Sequence, residues 1–456
     1  MKKILTILAL LILNTSAGLA QGESTLYRTI KENYETKADS MVNAFIESFM
    51  IKSKGVFNDK YQTYAFNAYW TQAHAMDVIV YCYERHKEDN KTLASKYKNY
   101  MALWYSNKAN NYAGAAASSS GTYKMFENPY TDDMCWITLT LLHMNEATGI
   151  SKYYSAAKGI FDNYIIKRAN EDEETGGLWL PWNTDAGSGP NACTQSPATL
   201  IAAKLYQRTG QEKYLTYAKK LYAYTDKKIV KVNESNKDFR VEEPPLTYTQ
   251  GTFGEACRIL YHVTDESASI KNKYKNRAYQ YINYAFTSGR CTNGQNILRH
   301  EGTSGDQSIF KAVLIPYAVN YVLDTDMPTT NRKTIADLVQ KNTKTLCANL
   351  IWDHYPIVFC NFDWTKPWTG EDKDASMGAM CSGASLLENT ARMQKAIIQN
   401  YQDYQDAIET IPEAEEPKDI FAVYSLDGRM VRAPWQGTEN LPKGMYIINK
   451  RKVLIK

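Results

Sequence analysis

Two adjacent carboxylates, Asp132 and Asp133, stand where an apolar helical pattern begins. Thr131 or Asp132 can cap the helix that follows. Tyr130 and Trp136 flank the acid pair. Glycoside hydrolysis needs two carboxyl groups, and a sugar ring binds well against an apolar aromatic face. The pair and its aromatic neighbours therefore suit the cleavage of a sugar chain.

The same pair also has a purely structural interpretation. Aspartates at a helix N-terminus commonly accept hydrogen bonds from its unpaired N–H groups and interact favourably with the positive end of its dipole.

The spacing of the two carboxyl groups also suits catalysis. In a retaining glycosidase these groups lie roughly 5–5.5 Å apart, a distance that neighbouring side chains at a helix entrance can reach. One must be ionised and the other protonated, and their mutual repulsion separates the two titrations. The residues alone leave open which of the two is ionised.

The composition of the chain indicates which kinds of molecule the protein can bind. The chain has 456 residues, of which 44% are hydrophobic, enough for one large core or two ordinary ones. Its net charge of +4 falls to +2 without Lys2 and Lys3, and no long basic block indicates a nucleic-acid surface. The 34 Tyr and 9 Trp favour flat, neutral ligands such as sugars, although many of these rings must pack between helices.

Residues 1–20 have the pattern of a secretory signal. Lys2 and Lys3 precede an apolar run, which small residues follow up to Ala20. No cysteine stands where a lipoprotein signal would need one, and no later apolar run reaches the length of a membrane span. We therefore predict export to the periplasm, the cell surface or the medium, without a transmembrane segment.

The eight cysteines all follow the predicted signal. They form no Cys-x-x-Cys or His-rich spacing, so we expect neither a metal site nor a cofactor. Export permits disulfides. However, Cys82, Cys135 and Cys257 lie in apolar helical patterns, where a buried free thiol is the commoner state.

Helical patterns recur along the chain. The segment from Thr148-Gly149 to Tyr153 repeats as Thr209-Gly210 to Tyr214, 61 residues later. In each copy the glycine supplies the left-handed position that ends one helix before the next begins. Such helix pairs predict a ring or stack of helical hairpins. Long loops precede several of the helices, so these loops are expected to gather on one face.

The composition changes after Pro412. Residues 413–419 form an acidic linker, and residues 420–456 show short strand patterns. We predict a signal at 1–20, a helical catalytic domain at 21–412, the linker at 413–419 and a small β unit at 420–456. The β unit has no acid pair, so we expect no catalysis there.

Seven residues near the acid pair or in the long loops are candidates for substrate binding. Aromatic rings could stack on sugar rings, and amide side chains could hydrogen-bond hydroxyl groups. Core packing is the alternative for the rings, and loop structure is the alternative for the amides. The candidates are Trp70, Tyr130, Trp136, Trp182, Asn191, Tyr248 and Gln250.

Four segments together resemble glycoside hydrolase family 76, the endo-α-1,6-mannanases. They are Tyr130–Trp136, Gly176–Trp179 with Asn191 beyond it, Thr247–Gly251, and Phe310-Lys311, and the likeness spans about residues 69–389. The resemblance implies an (α/α)6 barrel, retention of anomeric configuration, and the α-1,6-mannose backbone of yeast-type mannan as substrate. It also implies that Asp132 is the nucleophile and Asp133 the acid/base.

The chain departs from the family pattern at Thr249, where Asn is frequent, and at Leu180-Pro181, which replaces a more aromatic run. These changes concern subsite preference rather than the chemistry. The C-terminal unit resembles the sorting tails of exported Bacteroidetes proteins, which implies contact with a secretion machinery. We therefore predict an all-α (α/α)6 enzyme with a small β unit, monomeric, with the polysaccharide α-mannan as its partner.

Two other functions would share some of these sequence features. A non-catalytic glycan-binding protein of the outer membrane would share the helices and the exposed Trp, but it usually carries a lipid-anchored cysteine and would not need the acid pair. An (α/α)6 enzyme acting on uronic acid polymers would need clustered arginines beside the acids. Arg240, Arg290 and Arg299 are instead scattered along the chain.

Overall fold

The computed structural model describes residues 22–64, 69–110 and 126–409, and near the C-terminus residues 423–426, 428–432, 441–448 and 451–455. The predicted signal at 1–20 and the predicted linker at 413–419 lie outside these residues. Within the described residues, no helix is both long and apolar enough to cross a membrane.

The chain divides into two compact units. The first unit comprises Glu32–Met393, and the second combines residues 1–31 with residues 394–456. The division falls inside the long helix Met377–Glu409, so this helix contributes to both units. The acid pair and all seven candidate binding residues belong to the first unit.

In its described part, the first unit is built from twelve α-helices that alternate between an outer and an inner ring. The outer helices are α1 (Glu35–Phe49), α3 (Lys91–Asn110), α5 (Ser151–Ile160), α7 (Glu212–Tyr224), α9 (Ala268–Thr287) and α11 (Thr329–Ala348). The inner helices are α2 (Tyr69–His86), α4 (Thr131–Thr148), α6 (Ala192–Thr209), α8 (Thr247–Val263), α10 (Phe310–Leu323) and α12 (Met377–Glu409). The π-helical turns Phe161–Ile165 and Thr225–Ile229 extend α5 and α7.

Side-chain polarity separates the two rings. Inner helix α10 is apolar almost all round, and nearly every one of its residues is buried. Outer helix α9 carries Lys, Arg and Asn on its exposed side and buries mainly Tyr, Ala, Ile and Phe. A helix that is apolar on all sides must be enclosed by others, whereas an amphipathic helix can face water. This difference places α10 inside the barrel and α9 outside it.

The inner ring closes on itself. Each inner helix from α2 to α10 packs against the next one along the chain. The Ser385 hydroxyl of α12 donates to the Ala312 carbonyl of α10 at 2.9 Å. On its other side, Glu388 of α12 forms an ion pair with Arg85 of α2 at 2.7 Å, and both side chains are almost completely buried. Six helical hairpins thus form an (α/α)6 barrel, and the predicted fold class is confirmed.

The repeated helix ends also agree with the sequence. Gly149 and Gly210 end α4 and α6 with φ values of +71° and +65°, a conformation that favours glycine. Tyr153 and Tyr214 follow near the starts of α5 and α7, and both are fully buried. The echo along the sequence therefore corresponds to two successive hairpins of the barrel.

Three short antiparallel β-hairpins precede the inner helices α2, α6 and α8. They pair β1 (Met50–Ile51) with β2 (Val56–Phe57), β3 (Asn170–Asp172) with β4 (Gly177–Trp179), and β5 (Lys231–Asn233) with β6 (Asp238–Arg240). The fourth residue of each of these helices is a fully buried glutamine: Gln72, Gln195 and Gln250. We call these three residues the glutamine clamps.

Each clamp joins its helix to the backbone of the preceding hairpin. The Gln72 amide donates to the Phe57 carbonyl at 2.6 Å and accepts from the Phe57 N–H at 2.9 Å. The Gln195 amide accepts from the Leu180 N–H at 2.9 Å and donates to the Leu178 carbonyl at 3.1 Å. Because buried peptide groups need partners, these bonds hold the hairpins against the ring.

The C-terminal residues form a four-stranded antiparallel sheet in the order β10-β9-β7-β8. The strands are β7 (Val423–Ser425), β8 (Met430–Arg432), β9 (Gly444–Ile448) and β10 (Arg451–Ile455). Val423, Leu441, Tyr446 and Ile448 form its small core. The predicted β unit is therefore confirmed.

All eight cysteines are free thiols in the structure. Cys82, Cys135 and Cys257 are buried among the helices, as their apolar surroundings in the sequence predict. The barrel is thus held by packing, hydrogen bonds and ion pairs.

Candidate active site

The acid pair occupies the first turn of α4. The helix begins at Thr131, and its N-cap residue is Tyr130, whose side chain makes no capping bond. The backbone N–H of Thr131 instead donates to the Trp182 carbonyl at 2.8 Å. The prediction that Thr131 or Asp132 caps the helix is therefore wrong, because a neighbouring loop supplies the acceptor.

Arg168 fixes the segment that leads into α4. Its guanidinium donates to the carbonyl of Pro129 at 2.8 Å and to that of Asn128 at 2.7 Å. The Asn128 side chain in turn accepts from the Tyr130 N–H at 2.6 Å. Arg168 lies in a 3-10 turn far along the chain, and its sequence neighbours gave no signal of this role. The start of α4 is thus fixed by the Trp182 carbonyl and by the Arg168 guanidinium.

The Asp132 carboxylate is partly buried and accepts two hydrogen bonds. One comes from the Asp133 N–H at 2.9 Å, and the other comes from the Cys193 thiol at 3.5 Å. Burial raises the pKa of Asp132 above its usual value, and the nearby Asp306 carboxylate adds to this. The two donors act in the opposite direction, because they stabilise the ionised form.

Cys193 lies in the first turn of α6. Burial and the neighbouring Asp132 charge raise the pKa of its thiol well above the usual value, so the sulfur keeps its proton. Tyr248, in the first turn of α8, also affects the pKa of this thiol. Through its bond to Asp132, the thiol connects the first turns of α4 and α6.

A cluster of aromatic side chains, called here the aromatic wall, lies beside the acid pair. The Tyr248 ring stacks on the Phe310 ring with centroids 4.3 Å apart, and the centroids of the Trp70 and Phe310 rings are 5.8 Å apart. The Trp70 indole N–H donates to the Asp306 carboxylate at 2.7 Å. These residues come from α2, α8, α10 and the loop before α10, so the N-terminal ends of the inner helices meet at one end of the barrel. The prediction that the long loops gather on one face agrees with this arrangement.

Tyr130 and Trp182 form an exposed aromatic surface next to the pair. Their rings stack with centroids 6.0 Å apart and an interplanar angle of 25°. Tyr130 is 43% exposed and Trp182 is 38% exposed, which is unusual for stacked rings of this size. A sugar ring can bind against such an apolar surface.

Three of the seven candidate binding residues have structural roles. Trp136 is 1% exposed and lies behind Tyr248, with its ring centroid 6.0 Å away. Asn191 is the N-cap of α6 and accepts from the Thr194 N–H at 2.8 Å. Gln250 is fully buried.

The Gln250 amide is used entirely by the backbone. It donates to the Phe239 carbonyl at 2.9 Å and to the Tyr281 carbonyl at 3.0 Å, and its oxygen accepts from the Val241 N–H. Like the other two clamps, Gln250 holds a hairpin in place. Trp136 and Gln250 therefore do not belong to the site proposed below.

Glu242 is a further buried carboxyl group, in the loop before α8. Burial raises the pKa of Glu242 to about 7, and the neighbouring Glu301 acts in the same direction. The Thr249 hydroxyl donates to one of its oxygens at 2.6 Å. The charge of Glu242 also contributes to the raised pKa values of Cys193 and Tyr248. Its position in a loop of mixed polarity gave no sequence signal.

The opposite end of the barrel has a cavity of about 590 Å³ between the C-terminal ends of the inner helices. His262, Asp324 and Asp326 offer ligand atoms within 4.8 Å of one another there, a spacing that could hold a metal ion. However, Arg258 already forms ion pairs with Asp324 and Glu255, both at 2.7 Å. Asp324 and Glu255 are thus engaged by a neighbouring cation, the Arg258 guanidinium.

The sequence model described as glycosyl hydrolase family 76 matches residues 29–400. The chain belongs to glycosyl hydrolase family 76. The resemblance carried by the four segments is therefore confirmed, and the family match includes the acid pair, its aromatic neighbours and the whole inner ring up to residue 400 of α12. A search of curated proteins gives no match.

Solved structures of family 76 share the fold. The α-1,6-mannanase of Salegentibacter sp. HEL1_6 is 22% identical over 79% of this chain and 100% of its own, with a TM-score of 0.64. An inactive variant of that enzyme, with two adjacent aspartates changed to asparagine, was solved with α-1,6-mannotriose and gives a TM-score of 0.65 at 22% identity and the same coverage. A family 76 mannosidase of Bacteroides thetaiotaomicron is 18% identical over 81% of this chain and 99% of its own, with a TM-score of 0.57.

Proposed function

We propose that this family 76 protein is a retaining endo-α-1,6-mannanase that hydrolyses the backbone of yeast-type α-mannan. The observation that carries the proposal is the placement of Asp132 and Asp133 in the first turn of an inner helix, beside the exposed rings of Tyr130 and Trp182. The neighbour that binds α-1,6-mannotriose after loss of two adjacent aspartates supports the same chemistry and substrate class.

In the proposed mechanism Asp132 attacks the anomeric carbon and forms a glycosyl-enzyme, while Asp133 protonates the departing oxygen. Water then hydrolyses the intermediate with Asp133 acting as the base. Asp132 takes the ionised role on the family resemblance. Its oxygens accept bonds from the Asp133 N–H and the Cys193 thiol, and these donors oppose the rise in its pKa that burial causes.

Substrate binding is assigned to the rings at the N-terminal ends of the inner helices, beside the acid pair. Tyr130 and Trp182 offer an apolar face to a mannose ring, and Trp70 and Tyr248 form the wall beside the acids. Asn191 uses its side-chain oxygen to cap α6, which leaves its amide N–H groups for a sugar hydroxyl. The substrate is neutral, so no cluster of arginines is needed to bind it.

Export is proposed on the sequence pattern of residues 1–20. A polysaccharide backbone is too large to enter a cell intact, so an endo-acting enzyme of this kind works outside the cytoplasm. The C-terminal β unit is proposed to contact the secretion machinery.

The test of the function is digestion of debranched yeast mannan by the purified protein. We expect release of short manno-oligosaccharides whose first-formed anomer, followed by proton NMR, keeps the α configuration. Asp132→Asn and Asp133→Asn should each lower the rate at least about a thousandfold, with unchanged melting temperatures. Full activity in either variant would remove the assignment of the pair.

A second experiment assigns the two roles. Azide is added to Asp132→Ala and Asp133→Ala with an aryl glycoside of α-1,6-mannobiose, whose leaving group needs no protonation. We expect the Asp132 variant to give the β-glycosyl azide, because azide replaces the missing nucleophile and attacks from its side. The Asp133 variant should give the α-glycosyl azide through the glycosyl-enzyme. If the two products are exchanged, the roles are exchanged as well.

A further inference from the structure

We infer that Cys193 is a positioning residue whose thiol donates a hydrogen bond to Asp132 and holds this carboxylate ionised and correctly oriented for attack. The inference rests on the proposed function, because it concerns the proposed nucleophile. The thiol lies 3.5 Å from one Asp132 oxygen, while the other oxygen accepts from the Asp133 N–H at 2.9 Å. Each carboxylate oxygen thus has its own donor.

The backbone that carries the thiol is firmly held. Cys193 is the second residue of α6, two positions after the N-cap Asn191, which accepts from the Thr194 N–H at 2.8 Å. Two residues later, Gln195 clamps α6 to the hairpin backbone at Leu180. These bonds fix the backbone on which the Cys193 side chain stands, and its sulfur lies 3.5 Å from the Asp132 carboxylate.

The chemistry permits only one direction for the bond. Burial and the Asp132 charge raise the pKa of the thiol well above its usual value, so the sulfur carries a proton at neutral pH. A thiol is a weak donor, and an ionised carboxylate is only an acceptor. A thiolate at this position would repel Asp132 and destabilise its ionised form. The protonated Cys193 thiol therefore stabilises the ionised form of Asp132, which is the form that attacks.

Tyr248 brings no charge to the surroundings of the thiol. Burial raises the pKa of its hydroxyl well above the usual value, so it remains a neutral phenol. Its ring stacks on Phe310 with centroids 4.3 Å apart. The charged group that the thiol contacts is therefore the Asp132 carboxylate.

Loss of the thiol should change the ionisation and the orientation of Asp132. Burial pushes the pKa of Asp132 upward, and the thiol is one of the groups that oppose this. Without it, more of the carboxyl is protonated at a given pH, and the side chain can rotate away from the position of attack. The rate of the chemical step should fall, whereas binding of the sugar chain should change little.

The test compares Cys193→Ala with Cys193→Ser. For the alanine variant we expect kcat to fall about tenfold, the effect of one hydrogen bond to a charged group, with KM within about twofold of wild type. The acidic limb of its pH profile should move to higher pH. The serine variant should recover most of the rate and the original limb, because a hydroxyl is also a donor.

Cys347→Ala is the matched control, since Cys347 is a partly exposed thiol on outer helix α11. It should leave kcat and the pH profile unchanged. Wild-type kcat and pH profile in Cys193→Ala would overturn the inference. Equal losses in the alanine and serine variants would also overturn it, because they would show a packing role instead of donation.

A second measurement does not depend on activity. The pKa of Asp132 can be followed by carbon-13 NMR of its side-chain carboxyl in wild-type protein and in Cys193→Ala. A higher pKa in the variant supports the inference, and an unchanged pKa refutes it. Wild-type protein that cleaves no α-mannan, yet shows this shift, would refute the proposed function while leaving the contact between Cys193 and Asp132 intact.

Discussion

Trp70 and Asp306 are joined by a hydrogen bond of 2.7 Å from the indole N–H to the carboxylate. The bond links the first turn of α2 to the loop before α10, at the end of the barrel that carries the acid pair. It also keeps a negative charge near Asp132, whose pKa this charge raises. An exposed side chain with no catalytic task thereby tunes the proposed nucleophile.

Asp306→Asn should therefore move the acidic limb of the pH profile to lower pH. The amide oxygen still accepts from Trp70, so only the charge is lost. Because Asp306 is exposed, we expect a shift of less than about half a pH unit, and one that shrinks at high salt. The measurement is kcat/KM against pH at two ionic strengths. Asp326→Asn, at the far end of the barrel, is the control and should show no shift.

Trp182→Ala should weaken substrate binding. The exposed stack of Trp182 on Tyr130 is the proposed platform for a mannose ring, and an aromatic contact of this kind contributes roughly 1 kcal/mol or more. We expect KM for a manno-oligosaccharide to rise about fivefold or more, with kcat less affected. Tyr355→Ala removes an equally exposed ring elsewhere and should leave KM unchanged. Equal KM values in the wild type and the Trp182 variant would remove the platform.

Ionisation of the Glu242 carboxyl group should make the barrel less stable as the pH rises. Its folded-state pKa of about 7 lies above the ordinary value of 4.5, so the folded protein holds the proton more tightly than the unfolded chain does. The corresponding stability is fully present below pH 4.5 and is lost as the pH rises through 7. The difference amounts to about 3 kcal/mol.

Glu242→Gln keeps the acceptor for Thr249 but cannot ionise. Relative to wild type, its free energy of unfolding should therefore improve by about 3 kcal/mol between pH 4.5 and pH 8. Denaturant titrations at the two pH values measure this difference. Glu88→Gln, an exposed change, is the control and should show a much smaller difference. A parallel response of wild type and Glu242→Gln would contradict the prediction.

Gln250→Ala should destabilise the barrel rather than weaken substrate binding. The change removes the partners of two buried carbonyls and one buried N–H, at a cost of about 3 kcal/mol in the free energy of unfolding. KM of the folded enzyme should stay near that of wild type. Gln207→Ala, on the exposed side of α6, should cost less than about 0.5 kcal/mol. A raised KM with unchanged stability would return Gln250 to the binding site.

Much of the fold could be predicted from the sequence because its signals are local. The glycines at 149 and 210 mark helix ends, and their regular spacing reveals the hairpins. The acid pair was also visible, since two adjacent aspartates before an apolar helix depend on no distant residue. The strands after residue 420 were identified from their short apolar runs.

The remaining site residues could not be predicted, because only tertiary structure brings them together. Cys193 is separated from Asp132 by 61 residues, and Arg168 is separated from Asn128 by 40. The binding role predicted for Gln250 rested on the chemistry of an amide, which suits a sugar hydroxyl as well as a peptide group. One signal was available in the sequence: Gln72, Gln195 and Gln250 each occupy the fourth position of an inner helix.

The glutamine clamps have a consequence for how such enzymes can diversify. Each clamp hydrogen-bonds to main-chain atoms of a hairpin, so its bonds do not depend on which side chains the hairpin carries. Turns and outward-facing residues of the three hairpins can therefore be lengthened, shortened or exchanged while the catalytic end keeps its shape. A laboratory library confined to these hairpin tips would explore new branch and chain-length preferences on an unaltered reaction centre.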